Sequence, residues 1–166
     1  MKGHIRRFRP GDEKQITHVI KTCYDEFGFT FDPEGYNRDC VQVAQYYAHE
    51  RSAFFVLEVD GKIVGTGGFI PLNEERCELR RLYLLKEFRG KGLGREFFAY
   101  ILQQAHALGF KEMEIWSDKS LTEAHKLYER FGAERITDRI CNDPDQSCEW
   151  GYLLDIPEAL HIGSPT

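Results

Sequence analysis

The segment RGKGLGR combines glycine at every second position with basic side chains on either side. Glycine lacks a Cβ atom, so such a segment can turn sharply and expose its N–H groups to a closely approaching ligand. A helix that begins directly after the turn adds the positive end of its dipole. Phosphate or pyrophosphate is the ligand that this combination favours. The predicted anion site comprises Arg89, Gly90, Lys91, Gly92, Leu93, Gly94 and Arg95.

The spacing of the glycines excludes two common nucleotide-binding motifs. A dinucleotide-binding G-x-G-x-x-G sequence would need glycine at Arg95. A P-loop would need Ser or Thr directly after Lys91, where Gly92 stands. One alternative stays open from the segment alone, namely a basic turn that begins a surface helix and binds no ligand.

Strands and helices with clear sequence patterns lead up to the glycine segment. Asp60 and Gly61 tolerate the positive φ angles of a tight turn, so they predict a hairpin between the β-formers on either side. The predicted strands are residues 4–8, 53–59, 62–70 and 78–85, with one helix from Asp12 onward and a shorter one around residues 41–47. The last of these strands runs directly into the glycines.

A helix, a strand, a second helix and a closing hairpin are predicted after the glycines. Gly109 and Gly132 end the two helices, because glycine suits the left-handed conformation of a helix cap. Ser120 and Glu123 have the spacing of a capping box at the start of the second helix. The predicted elements are a helix over 93–108, a strand over 113–116, a helix over 120–131, and strands over 133–140 and 148–154.

The glycine segment resembles the pyrophosphate-binding loop of the GNAT N-acetyltransferases. The signature of that family is Arg or Gln, two residues, Gly, one residue, and then Gly or Ala, which Arg89, Gly92 and Gly94 satisfy. The predicted order of elements is also that of the family. The resemblance implies an α+β (α/β three-layer) architecture, the GNAT acyl-CoA N-acyltransferase fold, with a mixed, mostly antiparallel sheet of about seven strands flanked by about four helices. It implies one N-acetyltransferase (GNAT) domain over residues 1–166, with acetyl-CoA as co-substrate.

A second landmark of the family lies in the helix before the last strands. The segment AHKLYERFGA resembles the family pattern of Ala, two residues, Leu, Tyr and a later glycine, and Tyr128 occupies the tyrosine position. Many members carry Asn three residues before that Ala, where this chain has Leu121. A cofactor contact from that amide is therefore missing, and Ser120 or Thr122 could replace it.

The resemblance also assigns roles at the reacting centre. The splayed strand before the loop holds the pantetheine in the family, which implies Leu82, Tyr83 and Leu84 here. A backbone N–H near Leu84 would donate to the oxyanion of the tetrahedral intermediate. Tyr128 corresponds to the tyrosine that protonates or hydrogen-bonds the departing CoA thiolate, although core packing is the alternative for a Tyr on an apolar stripe. Direct attack in a ternary complex is implied, without an acetyl-enzyme.

Glu78 is the candidate catalytic base. An alkyl ammonium, with a pKa near ~10.4, must lose a proton before it can act as a nucleophile. Glu78 stands on the strand before the glycines, at a position from which several GNAT enzymes project a catalytic glutamate. The alternative is an ordinary carboxylate paired with Arg80, which lies on the same face of the strand.

Aromatic residues of the first helix and its loop are predicted to line the acceptor pocket, as they do in the family. Packing in the core is the alternative for each of them. Arg80 and Arg81 could bind the carboxylate of an amino acid or an analogue, with salt bridges on the strand face as the alternative. The predicted acceptor-binding residues are Tyr24, Phe27, Phe29, Phe31 and Arg80, with Tyr36 in the same loop.

Composition and charge exclude several classes of function. The net charge of −5 argues against broad attraction to nucleic acid or to an anionic membrane. No run approaches the ~18 to 20 apolar residues of a membrane span, and the start MKGHIRRF lacks the core of a signal peptide. Five cysteines without a CxxC pair are typical of reduced cytosolic thiols, which predicts a cytoplasmic protein. The histidines lack ligand spacing, so we expect no metal.

These observations predict an enzyme that transfers the acetyl group of acetyl-CoA to a primary amine of a small molecule, with an amino acid or an analogue among the candidates. A monomer or a homodimer is expected. Two alternatives stay open: a protein or peptide N-acetyltransferase, and a non-catalytic GNAT module that binds acyl-CoA. The presence of both Glu78 and Tyr128 favours the enzyme.

Overall fold

A seven-stranded sheet forms the centre of the fold in the computed structural model, which describes residues 1–158. The strands are β1 (His4–Arg7), β2 (Ala53–Val59), β3 (Lys62–Pro71), β4 (Arg76–Leu84), β5 (Glu112–Asp118), β6 (Glu134–Ile140) and β7 (Cys148–Asp155). Their order across the sheet is β1-β2-β3-β4-β5-β7-β6. β4 and β5 run parallel, and every other neighbouring pair is antiparallel.

Helices cover both faces of this sheet. They are α1 (Glu13–Phe27), α2 (Arg38–Val41), α3 (Val43–Tyr46), α4 (Leu93–Ala107) and α5 (Thr122–Arg130), with a 3-10 turn at Lys86–Phe88. Alternate residues of β2 serve the two faces, because successive side chains of a strand point in opposite directions. Phe54 and Val56 pack in the α1 cluster, whereas Phe55 and Leu57 pack in the α4 cluster. None of the helices within residues 1–158 is long and apolar enough to cross a membrane.

The predicted fold class is confirmed, and the differences from prediction are local. The predicted helix around residues 41–47 is two single turns, α2 and α3, so five α-helices flank the sheet within residues 1–158. The predicted capping box at Ser120 is wrong. α5 begins only at Thr122, and the Ser120 hydroxyl donates to the Asp118 carboxylate at 2.6 Å, which makes a turn before the helix.

The parallel pair β4 and β5 separates after a short contact. Pairing joins Arg76, Cys77 and Glu78 of β4 to β5 and continues no further along β4. β5 keeps its partner β7 on the other side as far as the pair Asp118 and Glu149. The sheet therefore opens between its two parallel strands from Glu78 onward.

A β-bulge in β4 lies beside this opening. Thr66 of β3 faces Tyr83 of β4, and Gly68 faces Arg80. Gly67 therefore stands opposite two residues of β4, Arg81 and Leu82. Arg81, one of those two, has a φ of 52°, and its carbonyl accepts a hydrogen bond from the Thr66 hydroxyl at 2.8 Å. Because a bulge interrupts the alternation of side chains, two consecutive arginines, Arg80 and Arg81, approach the same carboxylate, Asp39.

Candidate active site

A cleft of about 590 Å³ lies where β4 and β5 separate. Its walls include residues of β4, β5 and α5, together with residues from two loops, 28–37 and 141–147, which we call the acceptor loops. From the predicted site it contains Tyr24, Phe29, Tyr36, Glu78, Arg80, Leu82, Tyr83 and Tyr128. The structure therefore brings together residues from distant parts of the sequence at the opening of the sheet.

Glu78 stands at the last paired position of β4, where the cleft begins. Its side chain is 18% exposed, and its Oε1 lies 3.9 Å from a terminal nitrogen of Arg80. Burial raises the pKa of the Glu78 carboxyl, and the charges of Arg80 and Arg139 only partly offset that effect. A carboxylate with a raised pKa is a stronger proton acceptor than an exposed one, as a general base requires.

Tyr128 of α5 also lines the cleft and is almost completely buried. Its ring packs against Phe98 and Tyr152, with centroid distances of 5.5 Å and 5.9 Å. The two interpretations of this tyrosine are thus compatible, because one residue packs in the core and also lines the cleft. Burial raises the pKa of the phenol above its usual value, which keeps the hydroxyl protonated at neutral pH.

The residues predicted to contact acetyl-CoA lie at different places around the cleft. Leu82 and Tyr83 form part of its wall, as does Leu121, whereas Leu84 lies outside the lining. The Leu84 carbonyl is bound by Arg89 Nε at 2.8 Å. Ser120 lies outside the lining as well, and its hydroxyl is already engaged by Asp118.

The glycine segment forms an exposed turn that leads into α4. Gly90 and Gly92 have φ angles of 75° and 83°, and Gly92 is the residue that caps the helix. No atom lies within 4 Å of a Cβ built at either position, so the turn is open to a ligand. The first N–H groups of a helix have no carbonyl partner within the helix. Residues 90–94 thus offer the open, donor-rich turn that the sequence predicted.

Arg89, unlike the glycine turn that follows it, binds other residues of the protein through its side chain. Its two terminal nitrogens each lie 2.8 Å from the Glu26 carboxylate, and its Nε donates to the Leu84 carbonyl. The guanidinium therefore ties the start of the loop to α1 and to the end of β4. Lys91 remains exposed beside the turn as a source of positive charge.

The predicted acceptor residues separate into two groups. Tyr24, Phe29 and Arg80 line the cleft. Phe27 and Phe31 do not: Phe27 stacks on Phe29 with a centroid distance of 5.8 Å, and Phe31 packs edge-on against the Tyr24 ring at 5.8 Å. Phe31 packs against the core beneath the wall, which corresponds to the packing alternative. Phe27 is 37% exposed and belongs neither to the cleft lining nor to the core clusters.

Several cleft residues were not predicted, because they come from β5 and the last hairpin. Arg139 of β6 stacks on the Trp116 ring at 3.9 Å and donates to the Glu149 carboxylate at 2.9 Å. A strand arginine far from the glycine segment carries no local sequence signal for a site. Within residues 1–158, no group of three or more His, Cys, Asp or Glu side chains is arranged to hold a metal ion.

The two acceptor loops are joined by side-chain contacts. The Asp145 carboxylate accepts hydrogen bonds from the backbone N–H and the hydroxyl of Thr30, both at 2.7 Å. The Cys141 thiol lies 3.2 Å from the Tyr36 hydroxyl. Two segments more than a hundred positions apart in the sequence therefore meet at one end of the cleft.

Comparison with known proteins identifies the class to which this fold and site belong. A sequence model of the acetyltransferase (GNAT) family matches residues 16–133. The chain is 35% identical over 158 residues to the uncharacterized N-acetyltransferase YjgM of Escherichia coli (strain K12), which covers 92% of this chain and 94% of that protein. The chain therefore belongs to the GNAT family and is an acetyl-CoA-dependent N-acetyltransferase.

A more distant relative is the human N-acetyltransferase 8B, 30% identical over 124 residues. The match covers 71% of this chain but only 52% of the human protein, so the chain spans about half the length of that relative.

Solved structures of the same fold share little sequence with this chain. An acetyltransferase from Streptococcus agalactiae has a TM-score of 0.79 at 20% identity, over 92% of this chain and 98% of that one. A putative acetyltransferase, yncA, from Salmonella typhimurium was solved with its cofactor acetyl-CoA; it has a TM-score of 0.74 at 17% identity over 98% of each chain. The shared architecture of these proteins confirms the fold.

Proposed function

We propose that this enzyme acetylates a primary amine of a small molecule, with an amino acid or an analogue among the candidate acceptors. The amine would attack acetyl-CoA directly in a ternary complex. The GNAT domain would span residues 1–166 of a cytoplasmic monomer or homodimer, and the five free thiols are consistent with a reducing compartment.

The observation that carries this proposal is the contact between the acceptor loops. Phe29 and Tyr36 of one loop and Cys141 of the other line the cleft, and the loops are joined through Thr30 and Asp145. An enzyme that acetylates proteins needs an open groove through which a polypeptide can pass. A cleft bounded by joined loops favours a compact acceptor instead.

The placement of the charged groups supports a catalytic role over binding alone. Glu78 would accept a proton from the acceptor ammonium, and the freed amine would form the new N–C bond at the thioester carbonyl. An N–H near Leu84 would donate to the oxygen of the tetrahedral intermediate. When the C–S bond breaks, Tyr128 would give its proton to the departing thiolate. The nitrogen would lose its second proton to solvent as the amide forms, and solvent would reprotonate the Tyr128 phenolate.

The donor would lie along the splayed part of β4, with its pyrophosphate at the glycine turn. Leu82 and Tyr83 on the cleft wall and the exposed turn at residues 90–92 support this placement. Positive φ angles at Gly90 and Gly92 hold that turn open in front of α4.

The test is a calorimetric titration with acetyl-CoA, followed by a thiol-release assay with small amines, amino acids and peptides. We expect acetyl-CoA to bind, and the CoA thiol to be released in the presence of at least one small amine but not in the presence of peptides. Release with peptides alone would favour the protein-acetylating alternative. Binding of acetyl-CoA without release of the CoA thiol for any acceptor would favour the alternative of a non-catalytic module.

A further inference from the structure

Two consecutive arginines of β4, Arg80 and Arg81, differ in their burial and in their hydrogen-bond partners. Arg81 is 7% exposed and donates to both Asp39 oxygens, at 2.9 and 2.7 Å, and to the Tyr24 hydroxyl at 3.0 Å. The Arg80 side chain makes no hydrogen bond to any residue within 1–158. Its nearest carboxylate oxygens, on Asp39 and Glu78, lie 3.7 and 3.9 Å away, and its side chain is 31% exposed. The donors of Arg80 are therefore available in the cleft.

A second arginine reaches the cleft from the other side. Arg139 uses its Nε on Glu149, which leaves its terminal nitrogens without a hydrogen-bond partner among the described residues. Its guanidinium carbon lies over the Trp116 ring, 3.9 Å from the centroid. A Cβ at Gly151 would lie 2.7 Å from that ring, so the glycine of β7 is what allows Trp116 to lie there. Arg139 is thus held in position while the N–H groups of its terminal nitrogens stay available to a ligand.

The charge of the lining limits what these arginines can bind. The cleft wall contains three arginines and four carboxylates, so its formal charge is −1. A planar guanidinium matches the two oxygens of a carboxylate. A dianionic phosphate would meet more repulsion here than a molecule that carries one cationic and one anionic group.

We propose that the acceptor carries a carboxylate beside its amine, and that Arg80 and Arg139 bind the carboxylate while the amine lies at Glu78. This inference rests on the proposed function and names its substrate class as amino acids. Glu78 and Arg80 are two residues apart on one strand and come within 3.9 Å of each other. An α-amino acid, whose amine and carboxylate share one carbon, can contact both at once.

The test compares kcat/KM for amino acids with kcat/KM for the corresponding carboxamides, which keep the amine and the side chain but lose the charge. Each charge-assisted contact contributes ~1.5–3 kcal/mol, so a preference for the acid of roughly 10- to 100-fold is expected. Arg80→Gln and Arg139→Gln should each lower this ratio by a similar factor.

Arg135→Gln is the matched control. Arg135 is also on β6 and also stacks on an indole, that of Trp150 at 4.2 Å, but it lies outside the cleft lining. The variant should keep the wild-type ratio of acid to amide. Should Arg139→Gln fail to fold, Arg139→Lys keeps the charge but loses the planar fork, and an intermediate ratio is expected.

Equal kcat/KM of the wild type for acids and amides would overturn the inference. An equal loss of kcat/KM on acids and on amides in Arg80→Gln and Arg139→Gln would overturn it as well. Transfer to amines without a carboxylate, but to no amino acid, would overturn it while leaving the proposed function in place. Acetyl-CoA binding with no transfer to any small amine would overturn both.

Discussion

Glu78 and Tyr128 line the same cleft, and burial changes the acidity of each in the same direction. Burial raises the pKa of the carboxyl and the pKa of the phenol. The carboxylate becomes a better proton acceptor, whereas the phenol stays protonated and can donate. One physical cause thus supplies the two complementary groups that amine acetylation requires.

Replacement of Glu78 by Gln should remove the base while keeping the size of the side chain. Activity needs the ionised carboxylate, so kcat/KM of the wild type falls as the pH drops through the pKa of Glu78. Because that pKa is raised, the fall begins above the usual carboxyl range. In Glu78→Gln we expect kcat/KM to drop by ~10²- to 10⁴-fold and the acidic limb of the pH profile to vanish.

Glu114→Gln is the informative companion to that variant. Glu114 pairs with Glu78 across the parallel strands, and its negative charge raises the pKa of Glu78. Removing the charge should therefore keep the acidic limb but move it to lower pH. An unchanged limb in Glu78→Gln would show that another group, or water alone, accepts the proton.

Tyr128→Phe should separate the hydroxyl of this tyrosine from its packing. The ring contacts with Phe98 and Tyr152 remain, so the melting temperature and the affinity for acetyl-CoA should change little. Loss of the proton donor should lower kcat by on the order of 10²-fold. Tyr152→Phe is the control, because the Tyr152 hydroxyl accepts from Arg135 and lies outside the cleft lining. Similar kinetics in the two variants would argue against the donor role.

At the scale of elements, the parts that follow from local patterns were predictable. Asp60 and Gly61 have φ angles of 52° and 77°, as the predicted hairpin turn requires. The glycine turn, the helix after it and the order of the strands also follow from residues that are adjacent in the sequence. These features depend on backbone preferences that each short segment carries by itself.

The features that the sequence did not reveal depend on contacts between distant segments. The bulge at Arg81 is fixed by Thr66 of the neighbouring strand. Arg139 reaches the cleft because Trp116 supports it from another strand. Ser120 is an exception, because a local contact decides its role: Asp118, two residues earlier, binds its hydroxyl in place of the predicted cap. Pairwise contacts of this kind leave no periodic trace in the sequence.

Gly92→Asp tests the glycine turn as an element. The change puts a negative charge beside the predicted pyrophosphate and a side chain on a residue with a φ of 83°. Gly61→Asp imposes the same change at a φ of 77° in the distant hairpin, also with no atom within 4 Å. Both variants should lose similar stability, about 1–2 kcal/mol. Only Gly92→Asp should bind acetyl-CoA more weakly by calorimetry, by roughly 10- to 100-fold. Equal affinities of the two variants for acetyl-CoA would show that the glycine turn is not part of the acetyl-CoA site.

For the molecule as a whole, the pair of Asp39 and Arg81 joins the helical layer to the bulge of the central sheet. Asp39 is 5% exposed and Arg81 7% exposed, and two hydrogen bonds link them. Burial opposes ionisation of Asp39, but its hydrogen bonds and charge interaction with Arg81 outweigh that effect and lower the pKa of the carboxyl. The same pair fixes the wall from which Arg80 projects.

Asp39→Asn should therefore destabilise the whole fold in a way that depends on pH. Loss of the charge leaves Arg81 buried without its counter-ion, which costs about 3–5 kcal/mol in the free energy of unfolding at neutral pH. A carboxyl whose pKa is lowered on folding stabilises the protein above its unfolded pKa, and this stabilisation is lost as the pH falls through the folded pKa. The difference between wild type and variant should thus be constant above about pH 5 and shrink in acid.

Denaturant unfolding at a series of pH values measures this difference. Asp25→Asn is the control, because Asp25 is 66% exposed and pairs with Lys21 one helical turn away, an arrangement that contributes only about 0.3–0.5 kcal/mol. A loss in Asp39→Asn no larger than in the control would mean that the bulge holds Arg81 without its carboxylate. A large loss that persists unchanged in acid would assign the effect to packing, since protonated Asp39 resembles Asn and the two proteins should then converge.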